Sequence, residues 1–292
     1  MKDILIKTVA EDKCVRAYGL ISTDLVNEAV QIHKCSPVAS AALGRLLSAG
    51  AMMGGMLKGD DKLTLQIKGG GPLGTVLVTA NAKSEVRGYC DNPFADVPKK
   101  PNGKLDVGAA VGRNGYLSVI RDIGMKEPYI GQTPIVTGEI GDDITYYYAV
   151  SEQQPSAAAL GVLVDRDHSI RAAGGFIISL LPGADEETAA LIENSLREIT
   201  SVTDLIASGM DPLSILQKAM PGIKLDVLEQ TTPLWKCNCS MERMERGILS
   251  IGKKEIESIL REQGGAELVC HFCNKKYLIS KERLQELLEN AK

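Results

Sequence analysis

The sequence predicts an α+β chain in three parts. A mixed N-terminal domain (1–181) carries largely antiparallel sheets and packed helices. A helical linker (182–235) and a small cysteine-bearing C-terminal domain (236–292) follow. Three observations carry this reading. Strand patterns outnumber helix patterns in the first 180 residues and do not alternate as βαβ units, which favours antiparallel sheets. After Pro182 the pattern changes to short amphipathic helices. Four of the seven cysteines fall in the last 56 residues.

The elements follow in order. "DILIKTV" and "CVRAYGL" read as two strands either side of a charged turn. "STDLVNEAVQIHKC" reads as a helix, with Ser22 or Thr23 as N-cap and Leu25, Ala29 and Ile32 on one face. Pro37 suits the first turn of the next helix. That helix holds Gly44, Gly50, Gly54 and Gly55. Glycine costs about 1 kcal/mol in a helix interior relative to alanine, so close packing against a neighbour is expected to compensate. Strand patterns then recur in "KLTLQIKG", "TVLVTANA", "EVRGYC", "GYLSVIRD", "TPIVTGEI", "ALGVLVDRD" and "IRAAGGFIISLLP", with the helical "GDDITYYYAVSEQQ" between them.

In the linker, Asp185 caps a helix whose apolar face is Ile192, Leu196 and Ile199. "TDLIASG" and the segment opened by Asp211-Pro212 make two more short helices. Isolated helices under about 12–15 residues are marginal, so all three are expected to rest on the first domain. The tail reads as a helix over "KKEIESILREQ", two strands at "AELVC" and "KKYLIS", and a last helix with Leu284, Leu287 and Leu288. So few residues bury a thin core, and a structural metal would make up the deficit.

Composition narrows the function. The chain has 292 residues, 44% of them apolar, and a net charge of −4, which argues against broad nucleic-acid binding. The longest apolar stretch, "SPVASAALGRLLSAGAMMGGML", contains Arg45 and is mostly small residues, so it reads as a buried helix and not a membrane span. The N-terminus has no apolar core of a signal peptide. A cytoplasmic protein is expected, with its thiols reduced. His33 and His168 stand in no triad-like setting, and "IKGGGPLG" lacks the Lys-Ser/Thr of a phosphate loop. No catalytic constellation emerges, and an enzyme is not expected.

The tail cysteines are the informative feature. Cys237-Asn-Cys239 is followed, thirty residues on, by Cys270-His-Phe-Cys273. Tetrahedral zinc takes four thiolates, and two close pairs around one compact segment can supply them. His271 is a further possible ligand, though four cysteines already fill the shell. A thioredoxin-like dithiol at Cys270 and Cys273 is an alternative, but no βαβ unit precedes it. Cys14, Cys35 and Cys90 read as core thiols. Oxidation of the four tail thiols would expel the metal and unfold a tail that depends on it.

These features resemble the heat-shock protein 33 family of redox-regulated bacterial chaperones. The resemblance covers essentially the whole chain. It rests on the Cys-x-Cys and Cys-x-x-Cys pairs, supported by "KGGGPLG", "VRGY", "YIGQTPI" and "AAGGFIISLLPGA". It implies one zinc held by Cys237, Cys239, Cys270 and Cys273 in an inactive reduced form. It also implies Cys237–Cys239 and Cys270–Cys273 disulfides on oxidative stress, with zinc release, linker unfolding and dimer formation. Unfolding client proteins would be held without ATP and later passed to ATP-dependent foldases. A holdase of that kind needs an apolar surface that is covered when idle, and the linker helices with the surface beneath them, including the Ile192, Leu196 and Ile199 face, are the client-binding candidates. Two other classes remain open: a zinc-ribbon nucleic-acid-binding module, and a thiol-disulfide oxidoreductase.

Overall fold

A computed structural model describes residues 2–12 and 14–290, which fall into two compact units divided between Lys236 and Cys237. The first unit contains, in chain order, β1 (Ile4–Ala10), β2 (Val15–Ile21), α1 (Thr23–His33), α2 (Pro37–Gly54), β3 (Lys62–Lys68), β4 (Thr75–Asn81), β5 (Glu85–Cys90), α3 (Val107–Val111), β6 (Tyr116–Asp122), β7 (Tyr129–Pro134), α4 (Gly141–Val150), β8 (Ser156–Val164), β9 (Ile170–Leu180), α5 (Glu186–Glu198), α6 (Val202–Ala207), α7 (Pro212–Ala219), β10 (Leu225–Thr231) and β11 (Leu234–Trp235). The second contains α8 (Met241–Ile251), α9 (Lys253–Gln263), β12 (Ala266–Val269), β13 (Lys276–Ile279) and α10 (Lys281–Asn290).

The α+β class is as expected. One sheet has the order β10-β1-β2-β9-β8 and the other β11-β5-β4-β3-β6-β7. Every pairing is antiparallel except β11 with β5. Helix α2 lies between the two sheets, packed on β4 and β5 on one side and on β8 and β9 on the other. Its small residues make this possible. A Cβ on Gly44 would sit 2.6 Å from Val26 and 2.8 Å from Val162, and one on Gly50 would sit 2.6 Å from Val78. Arg45, the one charge in the helix, pairs with Glu139 at 2.7 Å. No helix of the described residues is long and apolar enough to cross a membrane.

The inner strands of the first sheet, β1, β2 and β9, bury both faces. Leu5, Tyr18, Leu20, Ala173 and Ile177 point into the central core with α2. Ile6, Ala17, Ile21, Ala172, Phe176 and Ile178 point the other way, into a second core closed by α5, α6 and α7. Both faces being buried explains why "IRAAGGFIISLLP" is apolar almost throughout. Asp185 and Asp211 cap α5 and α7 as expected, accepting from Thr188 N at 2.8 Å and from Leu213 N at 2.9 Å. The cap of α1 differs. Ser22 makes no side-chain cap bond, and the carboxylate of Asp3 accepts from Asp24 N at 3.0 Å and Leu25 N at 2.7 Å.

Four further differences have physical causes. The strand expected over "TPIVTGEI" lies earlier, at Tyr129–Pro134. Residues 136–140 are instead gathered by Asp143, whose carboxylate accepts from Val136, Thr137 and Ile140 N at 2.8, 3.0 and 2.9 Å. Helix α3 arises where Asp106 caps a five-residue turn packed on α2. The stretch 182–235 is not helical throughout. Strand β10 is mostly exposed and lacks apolar alternation, and it forms because β1 offers an open edge. Strand β11 completes the other sheet through Leu234↔Glu85 and Trp235↔Val86. In the tail, "MERMERGILSI" forms α8, whose Ile248 is buried although Gly247 interrupts the pattern.

Candidate metal centre

Two short backbone devices position the four tail cysteines. Ser240 ends the Cys237–Cys239 segment by capping α8, its Oγ accepting from Arg243 N at 3.3 Å. Cys270 and Cys273 sit on the turn between β12 and β13. Asn274 N donates to Cys270 O at 2.8 Å, and Cys270 N donates to Lys275 O at 3.0 Å. Asn274 takes a left-handed φ of 56°, a conformation asparagine tolerates better than most residues.

These devices bring the four sulfurs together. All lie within 4.8 Å of one another. Cys237 and Cys270 Sγ are 3.7 Å apart, and Cys239 and Cys273 Sγ are 3.4 Å apart. A disulfide needs about 2.05 Å, so these are thiols. Zinc–sulfur bonds of about 2.3 Å in a tetrahedron place sulfurs about 3.8 Å apart. The four-cysteine group therefore has the size to hold such an ion. His271 is not part of the group.

The electrostatics agree. Burial pushes the Cys237 and Cys273 thiols up. Burial acts on Cys239 too, but the hydrogen bond from Tyr277 and its contacts with Cys273, Cys237 and Cys270 outweigh it and hold this thiol at about 7. Ionising all four at once would set like charges a few ångströms apart, so it calls for a cation in their midst.

The surrounding core is thin. It consists of Ile248, Ile256, Ile279, Leu284 and Leu287, ringed by half-buried Leu249, Ile259, Leu260 and Leu288. One bidentate ion pair, Arg283 with Glu245 at 2.7 and 2.9 Å, ties α10 to α8. The sequence reading missed Tyr277. Its Oη donates to Cys239 Sγ at 3.0 Å. Strand alternation put it on the inward face, four residues after Cys273, and that was the available signal.

The remaining sequence-singled residues lie elsewhere. Cys14, Cys35 and Cys90 are buried in the first unit, as expected of core thiols. Ile192 is buried against the outer face of the first sheet, and Leu196 and Ile199 pack half-buried on the same core. They belong to the apolar core that α5, α6 and α7 close over the first sheet.

An α+β body joined to a small unit whose four cysteines are placed to hold a metal ion defines the class of protein. Residues 3–280 match the model of the Hsp33 protein family. The chain is 53% identical to the 33 kDa chaperonin of Clostridium botulinum (strain Langeland) over 99% of its length and 98% of the relative's. It is 52% identical to that of Clostridium tetani, again over 99% and 98%. It superposes on a crystal structure of the 33 kDa chaperonin, a heat shock protein 33 homolog, from Thermotoga maritima with a TM-score of 0.93. That pair shares 35% identity, and 99% of each chain is covered. The chain belongs to the Hsp33 family. Its relatives are named as chaperonins and not as enzymes, and a chaperone's ligand is a client protein.

Proposed function

We propose that this chain is a redox-regulated, ATP-independent holdase, inactive while reduced and zinc-bound. The observation that carries the reading is the set of four free thiols spaced for a tetrahedral ion. Zinc is the metal such a set selects, and when bound it supplies folding free energy to a unit with little core. Cys237, Cys239, Cys270 and Cys273 each bind it as a thiolate.

On oxidation by a peroxide, the four thiolates become two disulfides. Each disulfide forms one S–S bond, gives up two electrons and reduces one peroxide to two hydroxides. The pairing we propose is Cys237 with Cys239 and Cys270 with Cys273. Cysteines so paired no longer bind the cation, and the second unit loses the interaction that holds it folded. Lys236 and Trp235 lead straight into Cys237, so β11 loses a fixed end. Residues 182–235 then act as the linker. Helices α5, α6 and α7, too short to persist alone, release the apolar face they cover on β1, β2 and β9. That face, with Ile192, Leu196 and Ile199, holds unfolding clients. The active form is a homodimer, works in the cytoplasm under oxidative and heat stress, and passes clients to ATP-dependent foldases.

The test compares reduced with peroxide-treated protein in an aggregation-suppression assay, with released zinc measured in the same samples. Oxidised protein should suppress aggregation without ATP and reduced protein should not. Equal activity in both, or one zinc per chain retained after full oxidation, would refute the proposal.

A further inference from the structure

Beyond the four cysteines, the side chain of Tyr277 reaches the thiol cluster with a proton. Tyr277 lies on β13, paired in register with Leu268 of β12. Its side chain is buried, and its Oη stands 3.0 Å from Cys239 Sγ. The Nζ of Lys275 lies 5.2 Å from the centre of the Tyr277 ring. Burial matters here because water does not readily take over the hydrogen bond when it is lost.

We infer that Tyr277 sets how fast the site is oxidised, by donating a hydrogen bond that lowers the nucleophilicity of Cys239. The inference rests on the proposal that these cysteines bind zinc as thiolates. A thiolate attacks a peroxide with a sulfur lone pair. The S–O bond forms, the O–O bond breaks, and hydroxide leaves. A neighbouring thiolate then attacks the resulting sulfenic sulfur, the S–S bond forms and a second hydroxide leaves. Two thiolates have lost two electrons, and one peroxide has gained them. Charge drains from the attacking sulfur in the first step, so a donor hydrogen bond to that sulfur is stronger before the step than during it. It therefore slows the attack. Lys275 acts through Tyr277, since a cation at the ring favours electron withdrawal from the phenol and makes its O–H a better donor. Tyr277 is thus a positioning residue that keeps the reduced form from firing at basal peroxide levels.

Tyr277→Phe keeps the ring and removes only the donor. In reduced, zinc-loaded protein, peroxide-driven zinc release followed with a chromophoric chelator should speed up about three- to tenfold, the range expected when part of a hydrogen bond to a charged group is lost. Release to the chelator without peroxide should stay within about twofold, since the packing is unchanged. In cobalt-substituted protein the sulfur-to-cobalt charge-transfer band should move to longer wavelength. Lys275→Gln, which keeps the tyrosine, should shift both readouts the same way by less, and it carries the test if Tyr277→Phe does not fold. An unchanged or slower peroxide reaction overturns the inference, and a slower one would make Tyr277 a proton donor to the leaving oxygen. Equal acceleration with and without peroxide also overturns it, as a packing effect. If the reduced wild-type chain binds neither zinc nor cobalt, the zinc reading fails and the inference with it. If it binds both and the variants match the wild type, the inference alone fails.

Discussion

Gly161→Ala tests whether α6 is the cover of the client face, because the change sits beneath the cover and not in it. Gly161 lies on β8, and a Cβ there would stand 2.5 Å from Thr203 Cγ2 and 2.8 Å from Val202 Cγ1. Carbon atoms settle at about 3.5–4.0 Å, so the stiff β-branched side chains of Val202 and Thr203, and α6 with them, are pushed away from β8. Overpacking of this kind costs about 1–3 kcal/mol. Alanine also restricts the unfolded chain, favouring folding by about 0.4–1 kcal/mol, but that term acts on global stability and not on the docking of α6. A penalty of 1–3 kcal/mol raises the population with α6 released by about 5- to 150-fold. Amide exchange over Val202–Ala207 should accelerate by that factor in the reduced protein. Reduced, zinc-loaded Gly161→Ala should also suppress aggregation of a thermally unfolding client where the reduced wild type does not. Faster exchange without any gain in holding would refute the reasoning, because the face under α6 would then be uncovered and still bind nothing.

Three further outcomes are expected. Replacing Cys237, Cys239, Cys270 and Cys273 with serine should abolish zinc binding, measured by metal analysis, and leave the second unit disordered by NMR. That variant should hold clients under reducing conditions, and inactivity in both redox states would show that the disulfides themselves are needed. Replacing Ile192, Leu196 and Ile199 together with asparagine should lower the thermal midpoint of linker release. It should raise reduced-state activity if loosening dominates, whereas lost activity in the oxidised form would identify these three as direct client contacts. The last outcome concerns pH. Burial pushes Asp3 up from 3.8 to about 6 despite its bonds from Leu25 and Asp24 N–H. The folded state therefore binds this proton more tightly than the unfolded chain between about pH 4 and 6. Stability from this group is full below that window and is lost as pH rises through it. Discounted for partial solvent screening, the loss is about 2 kcal/mol. Urea denaturation followed by Trp235 fluorescence should show the stability of Asp3→Asn, relative to wild type, rising by that amount from pH 4 to pH 7.5. A flat difference would refute the assignment.

The thiol cluster was legible because two close cysteine pairs in a short tail leave little else for them to do, and their spacing survives any detail of the fold. The covering helices were legible through Asp185 and Asp211-Pro212, which combine a cap with a periodic apolar face. What escaped depends on long-range partners. Strand β10 has no alternation of its own and exists because β1 has an open edge. The Asp3 cap on α1 comes from 21 residues away. The misplaced strand at 133–140 failed because Asp143 collects amides that a neighbouring strand would otherwise pair, a competition invisible in a β-branched run. Tyr277 was one more inward residue of a short strand until its distance to Cys239 gave it a role.

The central claim is that losing the thiolates unlocks the cover. Peroxide should be added to reduced, zinc-loaded protein, and three time courses followed in the same reaction: zinc release, amide exchange in α5, α6 and α7, and suppression of client aggregation. The account predicts that zinc release leads, faster exchange in the three helices follows, and holding rises in step with that exchange. Holding that appears while the three helices remain as protected as in the reduced protein would contradict it.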